Sequence, residues 1–350
     1  MVLLLSKASK IIVYIKIIIE PLYYFLFHTI FLFISIGLFL FRKPICNFLN
    51  INDLPNNQRK VHEKPMNTIG GMIIFINLIL SLSYLLFYSE IKIKIFLILI
   101  FIYSLFFLLG LVDDNRQLSA KLKTFLIFLF LFIVLPLDNM HLIKNIKISN
   151  FDKVIVLNEG ALFFTIFCIY FFYNAVNFAD GLNGVCTSLV LFWLIAIFFN
   201  HGGDANEPGL ISLIICILLI LFLNVSGKLF IGNSGSSLLS IIVSIFFIKA
   251  HNDSNIYFDE IVILVLLPAI DVIRVSIERV LKKKSPFVAD TNHFHHLLMN
   301  KFGKKIIFIP YIVISATPYL FSRIYNVSNF FIISIFIVMY FALIKILQKC

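Results

Sequence analysis

The chain has 350 residues, enough for two or three soluble domains, but its composition excludes them: 61% of residues are hydrophobic and 13% charged, against roughly 25% charged in an average soluble domain. The same apolar excess excludes a disordered chain and leaves a polytopic membrane protein. The chain is nevertheless basic, with 29 Lys+Arg, 18 Asp+Glu and a net charge of +11, a balance that suits either nucleic acid or the inner side of a membrane.

In chain order, residues 1–21 come first. They are apolar but carry Lys7, Lys10, Lys16 and Glu20. An interfacial helix is expected there, with an extra membrane span as the alternative, and the embedded lysines speak against a cleavable leader. Residues 22–350 then read as one multi-span domain, free of internal repeats and of Gly/Ser-rich linkers. A helix needs about 20 apolar residues to cross a bilayer. Runs meeting that requirement fall at 22–41, 69–88, 91–112, 122–137, 161–179, 185–199, 209–225, 235–250, 260–277, 306–322 and 329–347. The fold class expected is therefore an all-α integral membrane protein of about eleven transmembrane helices. The five cysteines are scattered, and no CxxC or Cys/His spacing supports a disulfide framework or zinc.

Short loops orient such a chain through their Lys and Arg. One set of loops, 42–68, 113–121, 180–184, 226–234, 278–305 and the C-terminal tail, carries 19 basic and 8 acidic residues once span-end charges are assigned to the nearer side. The other set carries 7 basic and 9 acidic residues. The first set is thus expected in the cytoplasm, with the N-terminus outside and the C-terminus inside. No segment outside the membrane is long enough to fold a basic nucleic-acid surface, so no nucleic-acid partner is expected.

The chemistry-bearing residues gather in the basic loops. In the first, Arg59, Lys60, His62 and Lys64 precede Gly70-Gly71 at a span start. Charge followed by bare N–H groups at a helix N-terminus suits an anion; ordinary positive-inside charge is the alternative. The second holds Asp113-Asp114 at a span end, then Leu118-Ser119-Ala120-Lys121-Leu122-Lys123. Adjacent carboxylates at a membrane boundary suit Mg2+ or base work, or else cap a helix. In the third, Asn174, Asn177 and Asp180 recur at helical spacing before Gly181-Leu182-Asn183-Gly184. The fourth, Gly232-Asn233-Ser234-Gly235-Ser236-Ser237, opens a helix and suits a phosphate cradle or close helix packing. The last follows Pro268 and Asp271 and contains Lys282-Lys283-Lys284, then His293, His295 and His296. With no cysteine or nearby Glu to complete a zinc set, these histidines suit phosphate oxygens better. For Asp271, packing and function stand level.

Taken together, six motifs in order over residues 59–298 resemble the polyprenyl-phosphate N-acetylhexosamine-1-phosphate transferase family, to which the muramoyl-pentapeptide phosphotransferases are related. They are the RKxHxxPxxxxGG loop, the DD pair with LSAKxK, NxxNxxDGxxG, FxGxxGS, PxxD and HxHH. The HFHH form at 293–296 is similar to the O-antigen and enterobacterial-antigen branch. The resemblance implies a bacterial inner-membrane enzyme with its active site on the cytoplasmic face. Its partners would be a UDP-N-acetylhexosamine, polyprenyl (undecaprenyl) phosphate and membrane lipid, with Mg2+, or Mn2+ in its place, and UMP as a product; a homodimer stays open. It further implies that Asp113 and Asp114 are catalytic and that Asn233 and Asp180 attend the metal. Lys60, Lys64, Lys121, Lys123, Asn177, Asn183, His293, His295 and His296 would bind the nucleotide sugar and its phosphates. Two positions depart from the family pattern: Asn233 and Asn183 stand where the family usually has Asp. An active enzyme with an amide in its metal shell is expected, a degenerate non-catalytic relative being the alternative. A transporter is the rival class, but its site would sit near the midplane of repeated halves.

Overall fold

A computed structural model of the chain describes residues 26–53, 66–87, 91–200, 208–285, 292–325 and 327–349. Residues 1–21, Lys60 and Lys64 lie outside the described residues. The α-helices are, in order, α1 (Leu26–Leu40) and α2 (Arg42–Leu49), α3 (Gly70–Phe87), α4 (Ile93–Arg116), α5 (Ala120–Val134), α6 (Ala161–Ala179), α7 (Val185–Asn200), α8 (Pro208–Val225), α9 (Gly232–Asn252), α10 (Phe258–Leu264), α11 (Leu266–Leu281), α12 (Phe294–Phe302), α13 (Phe308–Tyr325) and α14 (Asn329–Lys349). Two short antiparallel pairs join them: β1 (Asn52–Asp53) with β2 (Met66–Asn67), and β3 (Asn145–Ile146) with β4 (Ile155–Val156). Where the residues are described, each apolar run read from the sequence falls mainly on helix. Among the described residues, six helices are long and apolar enough to cross a bilayer, or seven if α1 and α2, bent by 67°, form one span. The architecture is that of an all-α polytopic membrane protein.

Helix α9 is the axis of the bundle, with 89% of its most apolar stretch buried, against 22% for the peripheral α5 and α14. Its opening residues explain this. Gly, Ser and Asn keep the surface of α9 low, so neighbouring backbones come close. A Cβ on Gly110 of α4 would lie 2.5 Å from Ser234 Cα and against the Asn233 carbonyl, and one on Gly71 of α3 would lie 2.5 Å from Gly235 N. Within a bilayer each polar group needs a partner. Ser240 and Ser244 accordingly donate back to the carbonyls of Ser237 and Ser240, both at 2.7 Å, and the Ser237 hydroxyl meets Tyr173 at 2.8 Å.

The run 260–277, read as one span, is instead two helices divided at Val265. Pro268 has no N–H to give the carbonyl of Leu264, four residues back. That carbonyl accepts from the indole Nε1 of Trp193 on α7 at 2.9 Å, and Trp193 is wholly buried. Trp193→Phe keeps an aromatic ring but orphans this carbonyl. It is expected to cost about 1–3 kcal/mol, read as a lower melting temperature of the detergent-purified protein; an unchanged melting curve would refute the pairing.

At the end of the bundle carrying β3–β4, long-range polar ties order a stretch that the sequence shows only as loop. His251 contacts the carbonyls of Ile256 (3.0 Å) and Asn145 (2.9 Å). The Asp259 carboxylate gathers the Ser149 N–H at 2.9 Å, the Ser149 hydroxyl and Asn329 Nδ2 at 2.7 Å.

Candidate active site

At the opposite end, the last turn of α4, the first of α5, the last of α6 and the first residues of α12 converge on a cavity of about 380 Å3. Asp113 enters from α4. Ala120, Lys123, Thr124 and Ile127 come from α5, preceded by Leu118. Tyr170, Tyr173, Asn174, Asn177 and Phe178 come from α6, followed by Asp180 and Gly181, and His293 closes the wall.

Asp113 is nearly buried, at 8% exposure. One oxygen accepts the Leu118 N–H at 2.7 Å and the other pairs with Lys123 Nζ at 2.8 Å. The ammonium group lies 5.5 Å from the centre of the Tyr173 ring. Lys121, by contrast, is exposed and absent from the wall. Two residues apart on a helix means about 200° of rotation, so only one of the two lysines can face the cavity. Ser119 starts this helix by accepting the Leu122 N–H at 3.3 Å.

Asp114 points the other way. Its two oxygens accept the N–H groups of Asn233 (2.7 Å) and Ser234 (3.0 Å), so it caps the N-terminus of α9. This corrects the reading of residues 232–237 as a phosphate cradle: the anion at that helix end is a carboxylate of the chain itself. The N–H groups of Gly70 and Gly71 are likewise taken, by the carbonyls of Phe230 (3.1 Å) and Ile231 (3.0 Å). They dock α3 on α9 rather than await an anion.

The Asn174–Asn177–Asp180 stripe forms one wall, because residues three apart share a helix face. Asn183 lies beyond the turn and does not line the cavity. Asn233 is also off the wall. Its backbone N–H serves Asp114, and among the described residues its side-chain amide takes no hydrogen bond.

The three histidines do not act as one face. His293, the N-cap residue of α12, lines the cavity. His295 is stacked behind it, with rings 5.6 Å apart and 5° from parallel, and its Nε2 sits where a Cβ on Gly181 would be only 2.8 Å away. Burial, reinforced by His296 and His293, pushes the His295 imidazole down to about 3. It therefore stays neutral and offers no charge to a phosphate. His296 is half-buried and off the wall.

Sequence reasoning missed Tyr170, Tyr173 and Thr124. The signal was the same stripe: Tyr170 and Tyr173 extend Asn174–Asn177 back by one helical turn. Tyr170 meets Thr124 across α5 and α6 at 3.0 Å and accepts the Asn174 amide on its carbonyl at 2.8 Å. Asp271, left level between packing and function, holds His293 Nδ1 at 2.8 Å.

Among the described residues no three of His, Cys, Asp and Glu form a metal cage. Two carboxylates, Asp113 and Asp180, do line one cavity. That donor set suits Mg2+, which binds through one or two carboxylates and keeps waters and substrate phosphates as its other ligands.

A model of the family described as Glycosyl transferase family 4 matches residues 95–251. A protein of Bacillus subtilis (strain 168), "Probable undecaprenyl-phosphate N-acetylglucosaminyl 1-phosphate transferase", is 31% identical over 263 residues, 73% of this chain and 72% of the relative. The chain belongs to glycosyl transferase family 4. Within this family, the undecaprenyl-phosphate alpha-N-acetylglucosaminyl 1-phosphate transferases of Escherichia coli (strain K12) and Yersinia pestis are each 24% identical. The first match covers 77% of this chain and 75% of the relative, the second 80% and 76%. The family-matched stretch runs from α4 to α9. It contains Asp113, Lys123, Asn177 and Asp180, while Asp271 and His293 lie beyond it.

Proposed function

We propose that the chain transfers a sugar-1-phosphate from a UDP-sugar to undecaprenyl phosphate, releasing UMP. UDP-N-acetylglucosamine is the first candidate donor. The observation that carries this reading is the Asp113–Lys123 pair set in a cavity whose other polar wall is Asn174, Asn177 and Asp180. A cation and a carboxylate side by side can receive an anionic phosphate and handle its proton.

In phosphoryl transfer the protein chiefly positions the reactants and offsets their charge. The arriving lipid phosphate draws Lys123 away from Asp113 Oδ2. The freed oxygen accepts the proton of the phosphate monoester, whose second pKa lies near 6. The deprotonated phosphate oxygen attacks the sugar-bearing phosphorus of the donor. A new P–O–P link forms, the bond to the UMP phosphate breaks, and UMP leaves with that electron pair. Asn177 and Asn174 offer amides to nucleotide oxygens, and His293 faces the diphosphate. Asp180 would hold Mg2+, with waters and substrate phosphates as the other ligands, and the ion would supply neutralisation of the developing phosphate charge. Asp114 shapes the site by fixing α9. Phe125 and Leu129 on α5 and Phe163 and Phe167 on α6 are exposed and apolar, and the lipid tail would run along this flank.

The reading includes about eleven spans in a bacterial inner membrane with the basic loops and the C-terminus in the cytoplasm. The +11 charge then belongs to the inner loops. A transporter is not favoured, since these ionisable groups gather at one end of the bundle. The test is UMP release and lipid-linked product from purified protein, undecaprenyl phosphate and a panel of UDP-N-acetylhexosamines, with and without divalent cations. Activity in the wild type is the expected result. If Asn233→Asp is active and the wild type is silent with every cation, the chain is a degenerate relative.

A further inference from the structure

Beyond the family-matched stretch, the last helix reaches into the site. Helix α14 is largely peripheral, yet Tyr340 on it is 1% exposed. Its hydroxyl donates to Asp271 Oδ1 at 2.8 Å and accepts from Arg274 Nε at 2.7 Å. The same oxygen of Asp271 accepts Arg274 Nη2 at 2.8 Å and the Phe294 N–H at 3.0 Å. Only the second oxygen, Oδ2, faces His293, whose Nδ1 it holds at 2.8 Å. Arg274 is itself pinned by Glu278 at 2.6 Å and the Asn292 carbonyl at 2.6 Å. One oxygen of the carboxylate is thus gripped by three donors, and the other accepts from His293.

That bond has a consequence for the cavity. A carboxylate on Nδ1 requires a proton there and fixes the tautomer and tilt of the ring. Nε2 is then directed away from Asp271, with Arg279 Nη2 at 3.3 Å, while the ring lies 5.1 Å from Phe178 on the cavity wall. Removing any one donor lets the carboxylate rotate and the ring with it.

We propose that Tyr340 is a positioning residue for the active site: with Arg274 it orients Asp271, which sets the ring and tautomer of His293 at the cavity. The catalytic side of this inference rests on the transferase reading above; the geometric side does not.

Two measurements on the full-length protein test it. In the first, carbethoxylation of His293 by diethylpyrocarbonate at neutral pH is followed by mass spectrometry in the wild type and the variant side by side. Tyr340→Phe should raise the His293 rate several-fold relative to the wild type. An unchanged rate overturns the proposal, and this readout needs no enzymatic activity. In the second, Tyr340→Phe should lower kcat/KM for UDP-N-acetylglucosamine by about tenfold, the weight of one such hydrogen bond, and should have no further effect in an Asp271→Asn background. Full additivity of the two changes would mean a general packing role instead. A wild type without transfer activity would sink the functional reading alone and leave the labelling rate to decide on Tyr340. If Tyr340→Phe does not yield folded protein, Arg274→Lys, which keeps the charge and loses the fork, is put through the same labelling test.

Discussion

Asp113→Asn should lower the turnover of sugar-1-phosphate transfer by about 10²–10⁴-fold, the range of a lost general base, with the protein still folded. The amide keeps a carbonyl oxygen for the Leu118 N–H, so the turn into α5 survives. What disappears is the ion pair with Lys123 and the carboxylate oxygen, Oδ2, that would take a proton from a phosphate held by that lysine. Burial sharpens the effect: the pair is nearly enclosed, so the field of the carboxylate is little screened. UMP release under saturating donor and acceptor is the measurement. A variant within about fivefold of the wild type would show that Asp113 serves the fold and not the proton, since general bases rarely contribute so little.

Gly110→Ala should be the most damaging Gly→Ala change among the described residues. Its Cβ would fall 2.5 Å from both Asn233 C and Ser234 Cα. These are backbone atoms of the axial helix and cannot swing aside as a side chain can. Overpacking in a close-packed core costs about 1–3 kcal/mol and sometimes more, and here the obstructed element is also the one capped by Asp114, four residues or about one turn further along α4. Loss of monodisperse protein in detergent, or a melting temperature lower by many degrees, is expected. Gly37→Ala provides the contrast, because nothing lies within 4 Å of a Cβ placed there, and it should be neutral or mildly stabilising by helix propensity. Equal melting temperatures for the two variants would contradict the packing of α4 on α9.

The helices were legible in the sequence because a bilayer demands long apolar runs, and those runs leave no competing local signal. The division at Val265 was less legible. Pro268 announces a missing hydrogen bond, but whether the helix bends or merely loses a bond depends on a distant indole. In the site, residues related by helical period were readable: 174, 177 and 180 fall on one wall by geometry alone. Charge without direction was harder. Asp113 and Asp114 are neighbours in sequence, yet about 100° of helix turn sends one to the cavity and the other to the start of α9. Twice that rotation separates Lys121 from Lys123. Tyr340 was invisible, since a tyrosine in the final apolar run looks like any membrane aromatic until its hydroxyl is traced to Asp271.

The Trp193–Leu264 bond also has a place in time. The ribosome makes α7 well before the broken segment α10–α11, and domains settle as they are made. When the carbonyl freed by Pro268 enters the membrane, its indole partner is already there to receive it. A chain with the two segments exchanged in order would have to insert the broken helix with a bare carbonyl in hydrocarbon, at a cost of several kcal/mol. The order of synthesis is thus part of how a proline-broken span becomes tolerable in this bundle.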